Sequence, residues 1–67
     1  MAYSAKEIIK VLEDNGWYLD RVRGSHHVYK NDILQKSVPI PVHGNRDLGK
    51  GIFYKILKQC EIGKDEI

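Results

Sequence analysis

The run Val38-Pro39-Ile40-Pro41-Val42 sets the tightest limit on what this chain can fold into. Val38, Ile40 and Val42 alternate in the manner of a strand with one buried face. Pro39 and Pro41 carry no N–H, so the donors missing from this strand all lie along one of its sides. Such a strand pairs through its other side only and belongs at a sheet edge. We read it as the third strand, from about Lys36 to Val42. Two strand-like runs precede it: Trp17 to Arg23, rich in aromatic and branched residues, and Ser25 to Lys30. Gly24 between them marks a tight turn or bulge, and Asn31-Asp32 marks a polar hairpin tip. The expected sheet is antiparallel in the order 1-2-3, with a histidine-bearing strand in the middle.

A helix is expected on each side of these strands. Ser4-Ala5-Lys6-Glu7 has the form of a capping box. Ala5, Ile8, Ile9 and Leu12 then recur at helical spacing, and Asn15-Gly16 closes the helix. After the polar loop His43-Gly44-Asn45-Arg46-Asp47, the segment Gly49-Lys50-Gly51 opens a second helix, with either glycine as its start. Ile52, Phe53, Ile56, Leu57 and Cys60 form its expected apolar stripe, with Tyr54, Lys55 and Lys58 toward solvent and Gly63 as its stop. Lys64 to Ile67 are expected to fray. Trp17 and Cys60 read as core residues, Cys60 having no obvious activating cation beside it. The fold class is therefore α+β, ordered α-β-β-β-α, with two helices over one face of a three-stranded antiparallel sheet. This is the architecture of the double-stranded RNA-binding domain.

With 67 residues the chain is one domain, 1–67, too small for a deep cofactor cleft. No apolar run approaches the roughly 20 residues that span a bilayer, and Met1 to Asp14 lacks the apolar block of a secretory signal. A cytoplasmic location with no membrane partner is the expectation. A single cysteine excludes an internal disulfide and a cysteine zinc cluster. The formal net charge of +2 is unevenly spread. Residues 21–58 hold eight Lys and Arg against Asp32 and Asp47, whereas the segments before and after are net acidic. The cationic charge thus falls on the same part of the chain as the three histidines, which suits a polyanion if the side chains also meet in space.

The chemistry is concentrated in Arg23-Gly24-Ser25-His26-His27-Val28-Tyr29. An ordinary imidazole, with a pKa of about 6.5, exchanges protons near neutral pH without special tuning. Alternation along the strand separates Val28 from His27 and Tyr29. If Val28 faces the core, His27 is the histidine that reaches solvent.

Taken in order, Gly16-Trp17, Gly24-Ser25-His26-His27, Val38-Pro39-Ile40-Pro41, His43-Gly44 and Ile56-Leu57-Lys58-Gln59 closely resemble the HicA family of toxin mRNA interferases, over Ile8 to about Ile62. The resemblance implies a double-stranded-RNA-binding-domain-like fold, ribosome-independent cleavage of mRNA, and neutralisation by a HicB-type antitoxin. It places the catalytic histidine two positions after the serine, at His27. Family members vary at the preceding position, which makes His26 the weaker candidate. Gly49-Lys50-Gly51 departs from the single glycine usual there.

The mechanism expected is a metal-free endoribonuclease reaction without a cofactor, in which His27 takes the proton of a ribose 2′-hydroxyl as that oxygen attacks the adjacent phosphate. Need for the 2′-hydroxyl explains RNA as substrate, with no direct DNA binding expected. Ser25, His26, Tyr29 and His43 are possible supporting residues, Tyr29 and His26 being candidate leaving-group acids by proximity. Arg21, Arg23, Lys30, Lys50 and Lys55 are candidate RNA contacts, and Arg23 and Lys50 with His43 could also stabilise charge on the phosphorane. One alternative is a non-catalytic RNA-binding module of the same fold. Another, a zinc site built from His26, His27 and His43, is disfavoured because adjacent strand residues point to opposite faces.

Overall fold

The computed structural model describes residues 3–44 and 46–66. Met1 and Ala2, Asn45 of the polar loop and Ile67 of the tail lie outside the described residues. The element order is α1 (Ala5–Asp14), β1 (Tyr18–Arg23), β2 (His26–Asn31), β3 (Lys36–Pro41) and α2 (Lys50–Gln59), followed by a 3-10 turn over Lys64–Glu66. The sheet is antiparallel with order β1-β2-β3, the expected α+β architecture.

Local chemistry fixes the element ends. The Ser4 hydroxyl accepts from the Glu7 N–H at 3.1 Å and caps α1. Asn15 and Gly16 close it, Gly16 at φ +87°. The two-residue connection Gly24-Ser25 joins β1 to β2 with a positive φ, +59°, at Gly24 alone, the conformational demand of a hairpin turn that places glycine first. Gly49 is the start of α2, at φ +85°, so Gly51 lies inside the helix.

The register settles which residues share a face. His27 stands opposite Ile40, and Tyr29 opposite Val38, while Val28 stands opposite Pro39 and His26 opposite Pro41. Directly opposed residues project to the same side, so His27, Tyr29, Val38 and Ile40 face the helices. Tyr29, Val38 and Ile40 join Ile8, Leu12, Trp17, Phe53, Ile56, Leu57 and Cys60 in the core. The premise that Val28 faces the core is therefore wrong. Val28 is buried, yet it lies on the opposite face of the sheet and outside that core.

The Val42 N–H donates to the Ser25 carbonyl at 2.7 Å. Bond-exchanging positions alternate in an antiparallel ladder, so Ile40 and Val38 also pair inward while Pro39 and Pro41 point their nitrogens away from the sheet. The edge position of β3 and its prolines thus explain each other.

Three details of the C-terminal half differ from the expected pattern. Ile52 is 47 % exposed, whereas Tyr54 is half-buried and makes edge-on contacts with Tyr3 and Phe53 at ring separations of 5.8 and 5.6 Å. An aromatic trio over the start of the helix recruits Tyr54 and leaves Ile52 outside. The helix stops at Gln59, four residues before Gly63, because Glu61 turns the chain at φ +59°. The tail does not simply fray either: Lys64 lies 4.9 Å above the centre of the Tyr54 ring.

Cys60 is 1 % exposed, and burial pushes its thiol from 9.0 up to about 12, opposed weakly by Lys36. In the unfolded chain the thiol ionises first, so the folded state holds the extra proton in that interval and stability falls as pH rises. From pH 9 to about 12, the wild type should lose up to about 1.4 kcal/mol per pH unit more than Cys60→Ala. Urea unfolding of both proteins across that range checks the difference in slope.

Candidate functional site

Hydrogen bonds at the two ends of the molecule orient its helices. Leu48 donates to the Tyr3 carbonyl at 2.9 Å, and Ser4 bridges to Asp47, so the loop after β3 is tied to the start of α1. The Val42 to Ser25 bond ties the end of β3 to the Gly24-Ser25 turn. At the opposite end, Lys36 reaches the Gln59 carbonyl at 3.4 Å and the Glu61 carboxylate at 2.8 Å. There too the buried Asn31 side chain donates to the Asn15 carbonyl at 3.4 Å and accepts from the Leu34 N–H at 2.9 Å. Both helices therefore start at the end of the sheet that carries Ser25, His26 and His27, and both run away from it.

Each helix directs the positive end of its dipole toward that end. Ser4 caps α1, but Gly49 supplies no side-chain cap for α2, whose first turn contains Lys50 and no acidic residue. The start of α2 thus favours an anion. His43, exposed, follows β3 in the same region.

His27 is half-buried on the helix side of β2, between Ile40 of the core and Val22, which is 53 % exposed. His26 is exposed on the open face. With Arg21, Arg23, Val28, Ser37 and Pro39 it lines a shallow depression of about 520 Å³ there. Arg21 stands opposite Val28 and Arg23 opposite His26, so both arginines share this face with the valine, which is itself buried. Lys30 shares this face and stands opposite Tyr18, whose hydroxyl donates to Asp32 at 2.9 Å. That hydrogen bond, more than burial or the nearby acidic charges, raises the Tyr18 pKa.

The expected site residues consequently occupy separate surfaces. Arg21, Arg23, Lys30 and His26 share the open face, while His27 lies on the other face. Lys50 and His43 belong to the His27 end, and Lys55 is exposed along α2. Tyr29 faces the same way as His27 but is only 4 % exposed, and burial raises its pKa, with a smaller effect from Glu13. The Tyr29 ring is part of the core. Val22, Ser37 and Pro39 were missed as surroundings of the two histidines; pairing the strands residue by residue would have found them. Among the described residues, no three His, Cys, Asp or Glu side chains come together in a way that could hold a metal ion. Among the described residues, no helix is long and apolar enough to cross a membrane.

The search of curated proteins gives no match. Residues 5–62 match the family model described as the HicA toxin of bacterial toxin-antitoxin systems. That span runs from the first residue of α1 to the last buried residue after α2, and so includes every strand and both histidine environments. The chain belongs to the HicA toxin family.

Proposed function

We propose that this toxin is an endoribonuclease that cleaves mRNA without a metal or cofactor, with His27 as its general base and a HicB-type antitoxin as its inhibitor. The observation that carries the reading is the position of His27: a half-buried imidazole on the strand end from which both helices start, where α2 has Lys50 in its first turn and no side-chain cap. His27 accepts the proton of a ribose 2′-hydroxyl, the oxygen attacks the neighbouring phosphorus, and the bond to the 5′-oxygen breaks. The products are a 2′,3′-cyclic phosphate and a 5′-hydroxyl once the leaving oxygen has gained a proton. Charge on the phosphorane is met by Lys50, by the N–H groups leading α2, and by His43. Arg21, Arg23 and Lys30 on the open face hold the flanking backbone, beside His26 and Ser25, and Lys55 extends the cationic surface along α2.

Placing the base on the strand paired on both sides favours a fixed imidazole, since its backbone is held by β1 and β3 together. His27→Ala should lower the rate of cleavage of a single-stranded RNA by about 10² to 10⁴. His26→Ala should lower it by much less. The unfolding free energy of His27→Ala should stay within about 1 kcal/mol of wild type. Equal cleavage by His27→Ala and wild type overturns the assignment, and RNA binding without cleavage by the wild type favours the non-catalytic module.

RNA affinity should also fall linearly with salt on logarithmic axes, as phosphates displace counterions onto the basic surface. Arg23→Gln and Lys50→Gln should each make that slope shallower by about 0.7 for a single strand. Filter binding between low and physiological salt measures it. An affinity indifferent to salt would mean that the cations do not contact the backbone.

A further inference from the structure

The two edges of the sheet are chemically unlike. On β3 the outward positions are Ser37, Pro39 and Pro41, of which only Ser37 has an N–H to offer. On β1 the outward positions follow from the ladder. His27, Tyr29 and Asn31 direct their backbone groups to β3, so His26, Val28 and Lys30 direct theirs to β1. Their partners Arg23, Arg21 and Tyr18 therefore point inward, which leaves the backbone groups of Leu19 and Val22 aimed at the free edge. Asp20 is the extra residue of a bulge between them.

The side chains of this edge sort by face. Leu19 and Val22, 46 % and 53 % exposed, stand on the helix side, where both helices settle over β3 and leave β1 uncovered. Arg23 and Arg21 stand on the open side, Arg21 donating to the Asp20 carboxylate at 2.6 Å. A polypeptide strand laid along β1 would thus meet free backbone donors and acceptors, an apolar surface on one side and two guanidinium groups on the other. We infer that β1 is a docking edge for an extended segment of the antitoxin, one that alternates apolar residues, set against Leu19 and Val22, with acidic residues, set against Arg21 and Arg23.

Charge complementarity selects this occupant. A second copy pairing through β1 would bring its own Arg21 and Arg23 against those of the first, and like charges across a strand pair are unfavourable. The bulge and the arginines are devices that keep such an edge from self-pairing, and an acidic strand turns the same arginines into attraction. The added strand would lie two strand spacings, about 10 Å, from β2. Its apolar side chains would rest on Val22, directly beside His27. Docking would then raise a wall against the exposed side of the imidazole.

This inference rests on the toxin-antitoxin reading, and hydrogen exchange separates the two. The chain and its complex with the antitoxin encoded beside it are compared residue by residue. We expect the amides of Leu19 and Val22 to exchange freely in the chain alone and at least tenfold more slowly in the complex. Val22→Pro removes an outward N–H without removing a bond to β2, and should weaken antitoxin binding at least tenfold with the circular dichroism of a folded chain. A complex in which both amides exchange as in the free chain overturns the docking edge while leaving the toxin-antitoxin pairing intact. Protection that rises with concentration of the free chain makes a second copy the occupant, and overturns it equally. Failure to form any complex defeats the toxin-antitoxin reading itself.

Discussion

The pairing of β2 with β3 is the constraint from which the rest of the molecule follows. Only β2 has partners on both sides, and its register decides which of two adjacent histidines lies among apolar residues and which lies among arginines. Slipping it by one residue would exchange His26 with His27 and drive Val28 into the place of Tyr29. Tyr29 against Val38, with Ile40 beyond it, makes such a slip costly, because each is nearly or wholly buried under the helices. The chemistry of the site is in that sense held in place by core residues that take no part in it.

Much of this was legible in the sequence because several local signals agreed. Ser4, Gly16, Gly24 and the two prolines each point to one conformation, and together they fix five elements and the edge strand. The faces of β2 were harder, since His26 alternates with Val28 and His27 with Tyr29. Each face has one apolar residue and one histidine. Valine is the more hydrophobic and suggests itself as the core residue, yet tyrosine fills the larger space beneath two helices. Valine lies instead on the open face, with Arg21, Arg23 and Pro39. Nothing local distinguishes these arrangements; the packing of distant elements does. Tyr54 and Ile52 show the same limit on α2, where Tyr3 decides which of the two is covered.

Candidate residues were legible as types more than as a site. The histidines and the basic stretch were visible in the chain, but their division between two faces of the sheet was not, because it depends on pairing between strands. Val22 gave no signal of its own. It acquires meaning only by standing opposite His27 on a strand that the helices leave bare.

The prolines of β3 have a consequence for how many chains can join. A sheet with two receptive edges can be extended at both, and each added copy presents a fresh edge, which is the route to fibres. Here the β3 edge offers an outward N–H at Ser37 alone, so an added strand finds few donors there. Extension past β3 is disfavoured in every copy, which leaves β1 as the edge that more readily receives another strand.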